Sequence, residues 1–497
     1  MDKVILAIDE GTTGVTTLLI DRRGEIVGRG YSEFPQIYPR PGWVEHDAEA
    51  IWQTTLRVIT QALTDGRVEP HRIAGIGITN QRETTVIWDR KTGKPIYNAI
   101  VWQCRRTADQ CAELRARGFE AHIHAKTGLV IDPYFSATKI AWILDHVPNA
   151  RPRAESGELL FGTIDTWLLW KLTDGAVHAT DHTNASRTLL YNIHNKQWDE
   201  ELLQIFRVPR AMLPRIETSS GVFGFTSTNG DFGREIPIAG IAGDQQAALY
   251  GQGCTRAGTI KNTYGTGCFI MMNTGDKLVD SRNGLLTTIA CDELGRPNYA
   301  LEGSVFIAGA AIQWLRDELK LIEKASDSEA AARAVPDTNG VYLVPAFVGL
   351  GAPHWDMEAR GVIVGLTRGA KREHLIRAAL EAIAYQSCDV IEAMRQDADL
   401  PINELRVDGG AAQNDFLMQF QADVLDLPIR RPRQIESTAL GAAYLAGLAV
   451  KFWETPDQIE EQSHDDRVFS PAMSREKREA LLAGWRRAVK TCRYRPD

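Results

Sequence analysis

The chain has few of the features that mark secreted, membrane-spanning or metal-clustered proteins. Its seven cysteines are scattered over 497 residues and include no Cys-x-x-Cys pair, so the sequence indicates neither a zinc site nor a disulfide framework. We therefore expect buried, reduced thiols. Long uncharged runs are also missing, and the stretch 440–450, among the longest, falls well short of the roughly 20 residues that span a membrane. The apolar run at 4–8 stops at Asp9, which is not the pattern of a signal peptide, so we expect a cytoplasmic enzyme.

Positive charge is in deficit. Lys and Arg number 56 against 64 Asp and Glu, which gives a net charge of −8. A protein that binds phosphate backbones needs a concentrated positive field, so nucleic acid is not an expected partner. With 44% hydrophobic and 24% charged residues, the composition is that of an ordinary globular protein. The length suggests about two to four domains.

One aspartate lies at a predicted strand end. Apolar residues at 238–241 lead into Gly243 and Asp244, and two glutamines and the apolar run 247–250 follow. This pattern predicts a buried strand, a tight turn and the start of a helix. The carboxylate of Asp244 can cap that helix, or it can serve a reaction at the strand tip.

A glycine-threonine turn connects the first two predicted strands, within 4–20. Gly11 and Gly14 allow a tight turn, in which N–H groups and the hydroxyls of Thr12 and Thr13 can converge on an anion. Asp9 would then lie beside that anion as a carboxylate that holds a metal. A plain hairpin is the alternative interpretation.

The same design recurs later in the chain. Residues 259–272 repeat the pattern of strand, Gly/Thr turn and apolar strand, and 252–258 are interpreted as the crossover between domains. Two such turns, one in each half, suggest duplicated domains that face one ligand. A third strand-to-glycine turn at 405–414 contains Gly409 and Gly410, against which a flat ring can lie.

A charged pair follows another predicted buried strand, at 72–79. Arg82 and Glu83 offer donors and acceptors together, which suits a ligand covered with hydroxyls, although a surface ion pair is the alternative. Trp102 near a strand end and Tyr134 in a loop after a proline can wall a pocket or fill a core.

Five further segments are predicted to be helices. One follows Asp47, its predicted N-cap, and one at 300–315 carries Gly309 and Gln313 four residues apart. The others are a long amphipathic helix at 376–394, a small-residue helix at 437–447 and a solvated, charged helix at 474–497.

Four strings occur in a fixed order. They are Asp-Glu-Gly-Thr-Thr at 9–13, Gly-Asp-Gln-Gln at 243–246, Thr-Tyr-Gly-Thr-Gly at 263–267 and Asp-Gly-Gly-Ala at 408–411. This set resembles the FGGY carbohydrate kinases, which share the ATPase fold of actin, Hsp70 and hexokinase. Segments 41–47, 77–85, 100–106 and 181–187 look like those of the family members that phosphorylate glycerol, and the likeness covers nearly the whole chain.

The resemblance implies an α/β fold with two actin-like, ribonuclease H-like ATPase domains, 1–253 and 254–497, and a cleft between them. It implies ATP-dependent phosphorylation of glycerol to sn-glycerol 3-phosphate with Mg²⁺, by a homodimer or homotetramer whose small-molecule partners are glycerol and ATP or ADP. Asp244 would align the attacking hydroxyl and take its proton late. Asp9 and Asp244 would hold Mg²⁺, through water.

The resemblance also assigns binding residues. Glycerol would be bound by Arg82, Glu83, Trp102, Tyr134, Asp244, Gln245 and Phe269. The nucleotide would be bound by Thr12, Thr13, Gly14, Thr16, Thr266, Gly309, Gln313, Gly410 and Asn414.

The chain departs from the family pattern at its first turn. These kinases usually have the sequence Asp-Gln-Gly-Thr-Thr-Ser-Ser-Arg at the positions that correspond to 9–16. This chain has Glu10 in place of the glutamine, and Gly14, Val15 and Thr16 in place of Ser-Ser-Arg. A hydroxyl and a guanidinium near the phosphates are missing. Since an arginine-phosphate contact is a strong charge-assisted one, we expect weaker or more Mg²⁺-dependent nucleotide binding.

Two other functions stay open at this point. One is a kinase for another polyol or sugar. The other is an actin-like or chaperone-like nucleotide switch without a small-molecule acceptor, which the Arg82–Glu83 pair and the aromatic residues disfavour, because a switch needs no pocket that recognises hydroxyls.

Overall fold

The computed structural model describes residues 3–461 and 464–494. Within these residues the chain is a mixed α/β protein, as predicted, with strands and helices interleaved along its length. The strands are β1 Val4–Glu10, β2 Gly14–Ile20, β3 Ile26–Glu33, β4 Glu45–His46, β5 Ile73–Asn80, β6 Val86–Asp89, β7 Ala99–Ile100, β8 Leu159–Gly162, β9 Ala179–Asp181, β10 Tyr191–Asn192, β11 Gln197–Trp198, β12 Arg215–Glu217, β13 Ser220–Phe225, β14 Pro237–Gly243, β15 Ile260–Tyr264, β16 Cys268–Gly275, β17 Leu286–Cys291, β18 Pro297–Val305, β19 Tyr342–Val344, β20 Val362–Val364, β21 Leu405–Asp408, β22 Ile429–Pro432 and β23 Asp465–Phe469.

The helices vary from one turn to 27 residues. They are α1 Ala48–Asp65, α2 Ala108–Ala116, α3 Glu120–Thr127, α4 Ser136–His146, α5 Ala150–Glu155, α6 Ile164–Leu172, α7 His182–Ala185, α8 Glu200–Phe206, α9 Asp244–Gly251, α10 Gly309–Asp317, α11 Asp327–Arg333, α12 Arg372–Ala398, α13 Asp415–Leu425, α14 Ser437–Ala449, α15 Pro456–Glu460 and α16 Arg475–Arg493. In the part of the chain that the structure describes, none of these helices is both long and apolar enough to span a membrane.

The chain divides into two compact units. The first contains Thr287–Tyr299 and the described parts of Met1–Thr255 and Ser437–Ser463. The second contains Arg256–Leu286, Ala300–Glu436 and the described part of His464–Asp497. The domain boundary between residues 253 and 254 remains a prediction.

The first unit is built on a six-stranded sheet in the order β13-β14-β5-β1-β2-β3. Strand β1 pairs antiparallel with β2 and parallel with β5, which pairs parallel with β14. The central strands β1 and β5 are apolar on both faces, because both faces are covered. The parallel strands β5 and β14 end side by side, so the residues that follow them lie close together.

The second sheet repeats this arrangement. Its order is β17-β18-β16-β15-β21-β22-β23, and β15 pairs antiparallel with β16 and parallel with β21, which pairs parallel with β22. The succession of one antiparallel hairpin and two parallel neighbours is the same as in the first sheet. The internal repeat predicted from the Gly/Thr turns is therefore present in the topology.

The backbone of helix α14 lies very close to the first sheet and to helix α9. A Cβ atom on Gly441 would lie 1.9 Å from the carbonyl oxygen of Ala247 in α9, and a Cβ on Gly77 would lie 2.2 Å from the carbonyl oxygen of Ala442. Only glycine fits at such a backbone approach. The small-residue helix predicted at 437–447 is thus confirmed, and it supports α9, the helix that begins at Asp244.

Most of the other predicted elements are also present. Asp47 is the N-cap of α1 and accepts the N–H groups of Glu49 and Ala50 at 2.9 and 3.3 Å. The amphipathic helix predicted at 376–394 is the interior of α12. All seven cysteines are free thiols, of which six are buried and Cys388 is half-buried, as expected.

Two predicted helices need correction. Residues 300–305 belong to strand β18, and the helix begins only at Gly309, because residues 300–305 pair within a sheet and are buried on both of its faces. The C-terminal helix α16 is present, but it is not solvated all round: Trp485 is buried and stacks on Tyr385 with ring centroids 5.3 Å apart. Residues 495–497 of that prediction lie outside the described residues.

Candidate active site

Asp244 is the first residue of α9 and comes directly after strand β14. Gly243 is the N-cap position, so Asp244 does not cap the helix in the usual manner. Its Oδ1 atom accepts the N–H of Gln245 at 2.7 Å, and its side chain is 29% exposed. The positive end of the helix dipole favours the ionised carboxylate. The result is an anionic side chain at a strand tip that a ligand can reach.

Arg82 connects this carboxylate to two other parts of the first unit. Its Nε atom lies 3.2 Å from Oδ1 of Asp244, and its terminal nitrogens donate to Oε1 of Gln246 at 3.1 Å and to the hydroxyl of Tyr134 at 3.4 Å. The arginine is almost fully buried. Parallel pairing brings it there, because Asn80 at the end of β5 pairs with Gly243 at the end of β14.

Glu83 has an unusual backbone. Its φ of 60° lies in the left-handed region, which a non-glycine residue adopts only when its surroundings hold it there. The hydroxyl of Ser136 donates to its carbonyl oxygen at 3.0 Å, and Nε of the buried Arg187 donates to its carboxylate Oε1 at 2.6 Å. Glu83 is thus a buried carboxylate with a charged partner, held in a backbone conformation that costs free energy.

Two aromatic residues lie beside this charged group. The rings of Trp102 and Tyr134 meet edge to face with centroids 5.5 Å apart. The indole Nε1 of Trp102 donates to the hydroxyl of Thr12 at 2.8 Å. The structure therefore brings predicted glycerol-binding residues into contact with the first Gly/Thr turn, residues 11–14.

The first turn is stabilised by a hydrogen bond of its own and by contacts with neighbouring segments. The N–H of Gly11 donates to the carbonyl oxygen of Gly14 at 3.0 Å, and the Gln36 amide donates to the carbonyl oxygen of Thr12 at 3.1 Å. A Cβ atom on Gly14 would lie 2.6 Å from the carbonyl oxygen of Ser32 in β3. Strand β3 thus approaches so closely that a serine at position 14 would not fit without a shift.

Glu10 is a fully buried carboxyl group next to the turn. The side-chain amide of Gln81 donates to both of its oxygens at 3.2 Å. Burial raises the pKa of Glu10 well above its usual range, and the nearby charges of Asp9 and Asp244 raise it further. Asp9 and Asp244 are therefore both close enough to influence the carboxyl group of Glu10.

His46 is a neutral member of the same network. Burial lowers the pKa of its imidazole to about 4. Its Nε2 donates to Oε1 of Gln36 at 2.7 Å, and its Nδ1 faces the amide of Gln81 at 3.4 Å. Gln36 and His46 therefore connect the first turn, through polar contacts, to Gln81, the residue that precedes Arg82.

The second unit contains a matching turn at 265–267. The N–H groups of Ala308 and Ala310, at the start of α10, donate to the carbonyl oxygen of Thr266 at 2.8 and 3.1 Å. The N–H of Gly309 donates to the carbonyl oxygen of Gly265 at 3.0 Å. Thr266 and Gly309, both predicted nucleotide residues, are therefore neighbours, and the exposed Gln313 lies one turn further along α10.

The glycine pair packs beside this turn. Gly409 has a φ of 85°, and a Cβ atom on it would lie 2.5 Å from the carbonyl oxygen of Tyr264, whereas a Cβ on Gly410 would meet nothing within 4 Å. Open space over Gly410 is what a flat ring needs. Asn414 is the N-cap of α13, where its Oδ1 accepts the N–H of Leu417 at 3.0 Å, and Phe269 lies half-buried in β16.

The structure adds residues to which the sequence analysis gave no role. Gln81, Gln246 and Arg187 contact Glu10, Arg82 and Glu83 respectively. Gln81 and Gln246 had a signal, because they stand within one or two positions of Arg82 and Asp244. His46 and Arg187 had only their place in the segments 41–47 and 181–187 that resemble the family, and Gln36 had none, since only tertiary structure brings it to the first turn.

Comparison with known proteins agrees with this arrangement. The N-terminal domain of the FGGY family of carbohydrate kinases matches residues 4–251, and the C-terminal domain of the same family matches residues 260–450. The chain belongs to the FGGY family of carbohydrate kinases.

Individual FGGY kinases resemble the chain over its full length. It is 61% identical over 489 residues to a glycerol kinase of Caldanaerobacter subterraneus subsp. tengcongensis, with 98% of each chain covered. The crystal structure of Plasmodium falciparum glycerol kinase with ADP is 38% identical, covers 100% of this chain and 99% of its own, and superposes with a TM-score of 0.93. A xylulose kinase from Lactobacillus acidophilus, at 23% identity and a TM-score of 0.88 over 98% of this chain and 97% of its own, shares the fold. The actin-like ATPase fold is thereby confirmed.

Proposed function

We propose that this FGGY kinase transfers the terminal phosphoryl group of ATP to glycerol and produces sn-glycerol 3-phosphate. The observation that carries the proposal is the contact between the partly exposed carboxylate of Asp244 and the buried guanidinium of Arg82 at 3.2 Å. The curated glycerol kinases that are about 60% identical over nearly the whole chain support glycerol as the acceptor.

The acceptor side of the reaction belongs to the first unit. Glu83 accepts and Arg82 donates hydrogen bonds to glycerol hydroxyls, with Gln245 beside them, while Trp102 and Tyr134 contact the carbon edge. Phe269 remains a predicted glycerol-binding residue. Asp244 aligns the attacking hydroxyl and accepts its proton late, because a carboxylate is a weak base towards an alcohol. Positioning and charge neutralisation supply most of the catalysis in a loose phosphoryl-transfer transition state.

The donor side uses Gly/Thr turns. Thr12, Thr13 and Gly14 of the first turn, with Thr16 after it, bind phosphate oxygens through N–H and hydroxyl groups. Thr266 remains a predicted phosphate-binding residue. The remaining nucleotide residues proposed are Gly309, Gln313, Gly410 and Asn414. The open space over Gly410 supports an adenine ring at that place.

Magnesium fits the donor set of the first unit. Mg²⁺ in kinases is bound by one or two carboxylates, substrate phosphates and water, and it does not require a cage of protein ligands. Asp9 and Asp244 supply two carboxylates, and the influence of both on the pKa of the buried Glu10 supports this assignment. When bound, the ion neutralises phosphate charge. The described residues contain no cluster of three or more His, Cys, Asp or Glu side chains that could hold a metal. Binding of Mg²⁺ through one or two carboxylates, phosphates and water does not need such a cluster.

A substrate panel tests the proposed function. ADP release is measured with the purified full chain, ATP and Mg²⁺, with glycerol, dihydroxyacetone, erythritol, xylulose, gluconate or no acceptor. We expect the highest kcat/KM with glycerol and a product that a glycerol-3-phosphate dehydrogenase oxidises. A higher kcat/KM with another acceptor would reassign the substrate, and ADP release that no acceptor stimulates would contradict kinase activity. A cytoplasmic location and a homodimeric or homotetrameric state remain predictions.

A further inference from the structure

The segment 181–187 links the tips of the two strands that carry the proposed catalytic groups. It comprises Asp181 at the end of β9, the one-turn helix α7, and Ser186 and Arg187. Asp181 and Arg187 are fully buried.

The carboxylate of Asp181 collects five hydrogen bonds. Its Oδ2 accepts the N–H of Thr183 at 3.0 Å, the hydroxyl of Thr183 at 2.7 Å and the hydroxyl of Ser219 at 2.6 Å. Its Oδ1 accepts the backbone and side-chain N–H groups of Asn184, both at 2.9 Å. Hydrogen bonds to an ionised acceptor are stronger than neutral ones, so the orientations of Thr183 and Asn184 are well defined.

Each of those two residues then holds one strand tip. The hydroxyl of Thr183 donates a hydrogen bond to Asp181, so its oxygen is free to accept the N–H of Gly243 at 2.9 Å. The amide of Asn184 donates to Asp181, so its oxygen accepts the side-chain N–H of Asn80 at 3.0 Å. Gly243 immediately precedes Asp244, and Asn80 is two residues before Arg82. One carboxylate therefore sets the direction of both hydrogen-bond chains.

The other end of the segment holds the residue proposed to accept glycerol hydroxyls. Nε of Arg187 donates to Oε1 of Glu83 at 2.6 Å, and the guanidinium lies over the rings of Tyr134 and Phe135 at 5.6 and 5.3 Å. A guanidinium can bind a carboxylate and stack on aromatic faces at once, which a lysine ammonium does less well. Arg187 thereby orients Glu83 and Tyr134 together.

We propose that the 181–187 segment is a positioning element of the active site, in which Asp181 acts through Thr183 on Asp244 and Arg187 acts on the glycerol-binding pair Glu83 and Tyr134. The inference rests on the proposed function, since it concerns the same site. Its two ends affect different kinetic constants. A shift of Asp244 changes the alignment of the attacking hydroxyl and hence kcat, whereas a shift of Glu83 changes glycerol binding and hence KM.

Matched variants separate positioning from support of the fold. Thr183→Val removes the hydroxyl that links Asp181 to Gly243 and keeps the shape, and Thr183→Ser restores the hydroxyl. Ser219→Ala also removes a hydrogen bond to Asp181 but leaves both strand tips attached. We expect Thr183→Val to lower kcat by roughly 10- to 100-fold with glycerol KM nearly unchanged, since small misplacements of reacting groups cost about this much. Thr183→Ser and Ser219→Ala should keep kcat within about threefold of the unmodified chain.

The other end is tested with Arg187→Met and Arg187→Lys. We expect both to raise the glycerol KM, Met by roughly 10-fold or more and Lys by less, with the nucleotide KM unchanged. Melting temperatures identify variants that fail to fold, and the Thr183→Val and Ser219→Ala pair then decides the question. An equal loss of kcat in these two variants, or normal kcat in Thr183→Val, would overturn the proposal. Failure of the unmodified chain to phosphorylate glycerol would instead overturn the proposed function, so the two failures are distinguishable.

Discussion

Nε of Arg82 lies 3.2 Å from Oδ1 of Asp244, although the two residues are far apart in the chain. The arginine is buried and the aspartate is 29% exposed, so the cation is fixed in place while the anion remains accessible to a ligand. Because Arg82 also contacts Gln246 and Tyr134, the orientation of the carboxylate is defined from several sides.

Asp244→Asn should remove turnover and spare glycerol binding. The amide still accepts and donates hydrogen bonds but cannot take the proton, and loss of general-base help typically costs about 10²- to 10⁴-fold in kcat. ADP release and calorimetric titration with glycerol measure the two effects. Asp47→Asn is the matched control, because Asp47 caps α1 and asparagine caps a helix equally well. Near-normal turnover of Asp244→Asn would disprove the proposed role.

Thr16→Arg should lower the apparent KM for the nucleotide. The change restores the guanidinium that family members usually carry at this position, and an arginine-phosphate contact is a strong charge-assisted one. Thr16 lies in β2 between Asp9 of β1 and Tyr31 of β3 and is half-buried, so the longer side chain starts next to the first turn. Thr16→Met, similar in length but uncharged, is the control. An unchanged nucleotide KM in Thr16→Arg would reject the prediction.

Gly441→Ala tests the close packing of α14 on α9. Helix propensity alone predicts a gain of about 1 kcal/mol in the free energy of unfolding, because alanine is the better helix former. The added Cβ would lie 1.9 Å from the carbonyl oxygen of Ala247, so we expect a net loss of about 1–3 kcal/mol, the usual cost of overpacking. Urea unfolding monitored by tryptophan fluorescence shows whether the substitution lowers or raises the free energy of unfolding, and a more stable variant would contradict the packing argument.

Asp165 should make stability depend on pH. The residue is buried in α6 and accepts the hydroxyls of Thr163 and Thr180 at 2.5 and 2.7 Å. Burial, assisted by the charge of Asp181, raises the pKa of Asp165 to about 7 from an ordinary value of 3.8. The folded chain therefore keeps a proton between these two pH values that the unfolded chain has lost.

The sign of the effect follows from that difference in bound protons. As pH rises from about 4 to about 7, this residue lowers the free energy of unfolding, by at most about 1.4 kcal/mol per pH unit. Asp165→Asn lacks the titrating proton, so its stability should fall less steeply with pH between 5 and 7. Urea titrations of both proteins at pH 5, 6 and 7 check the expectation, and parallel pH profiles would count against it.

Local patterns predicted the elements whose own residues decide their structure. The Gly/Thr hairpins, the N-cap at Asp47 and the strand-to-helix change at Asp244 depend on backbone preferences and caps within a few residues. The prediction of a helix at 300–305 was wrong for the opposite reason. Apart from Glu302, its residues are small or apolar and fit a buried helix and a buried strand equally well, and pairing within the second sheet determined the strand.

The sequence by itself determined the α/β class, the two Gly/Thr turns, the family and the identity of the charged residues at the strand tips, because these depend on residue type and on spacing along the chain. Only the tertiary structure decided which partners those residues have. Arg187 on Glu83, Gln36 on Thr12 and Thr183 on Gly243 are contacts between distant segments. No local periodicity records them, since they arise only when parallel strands align their ends and buried polar groups must find partners there.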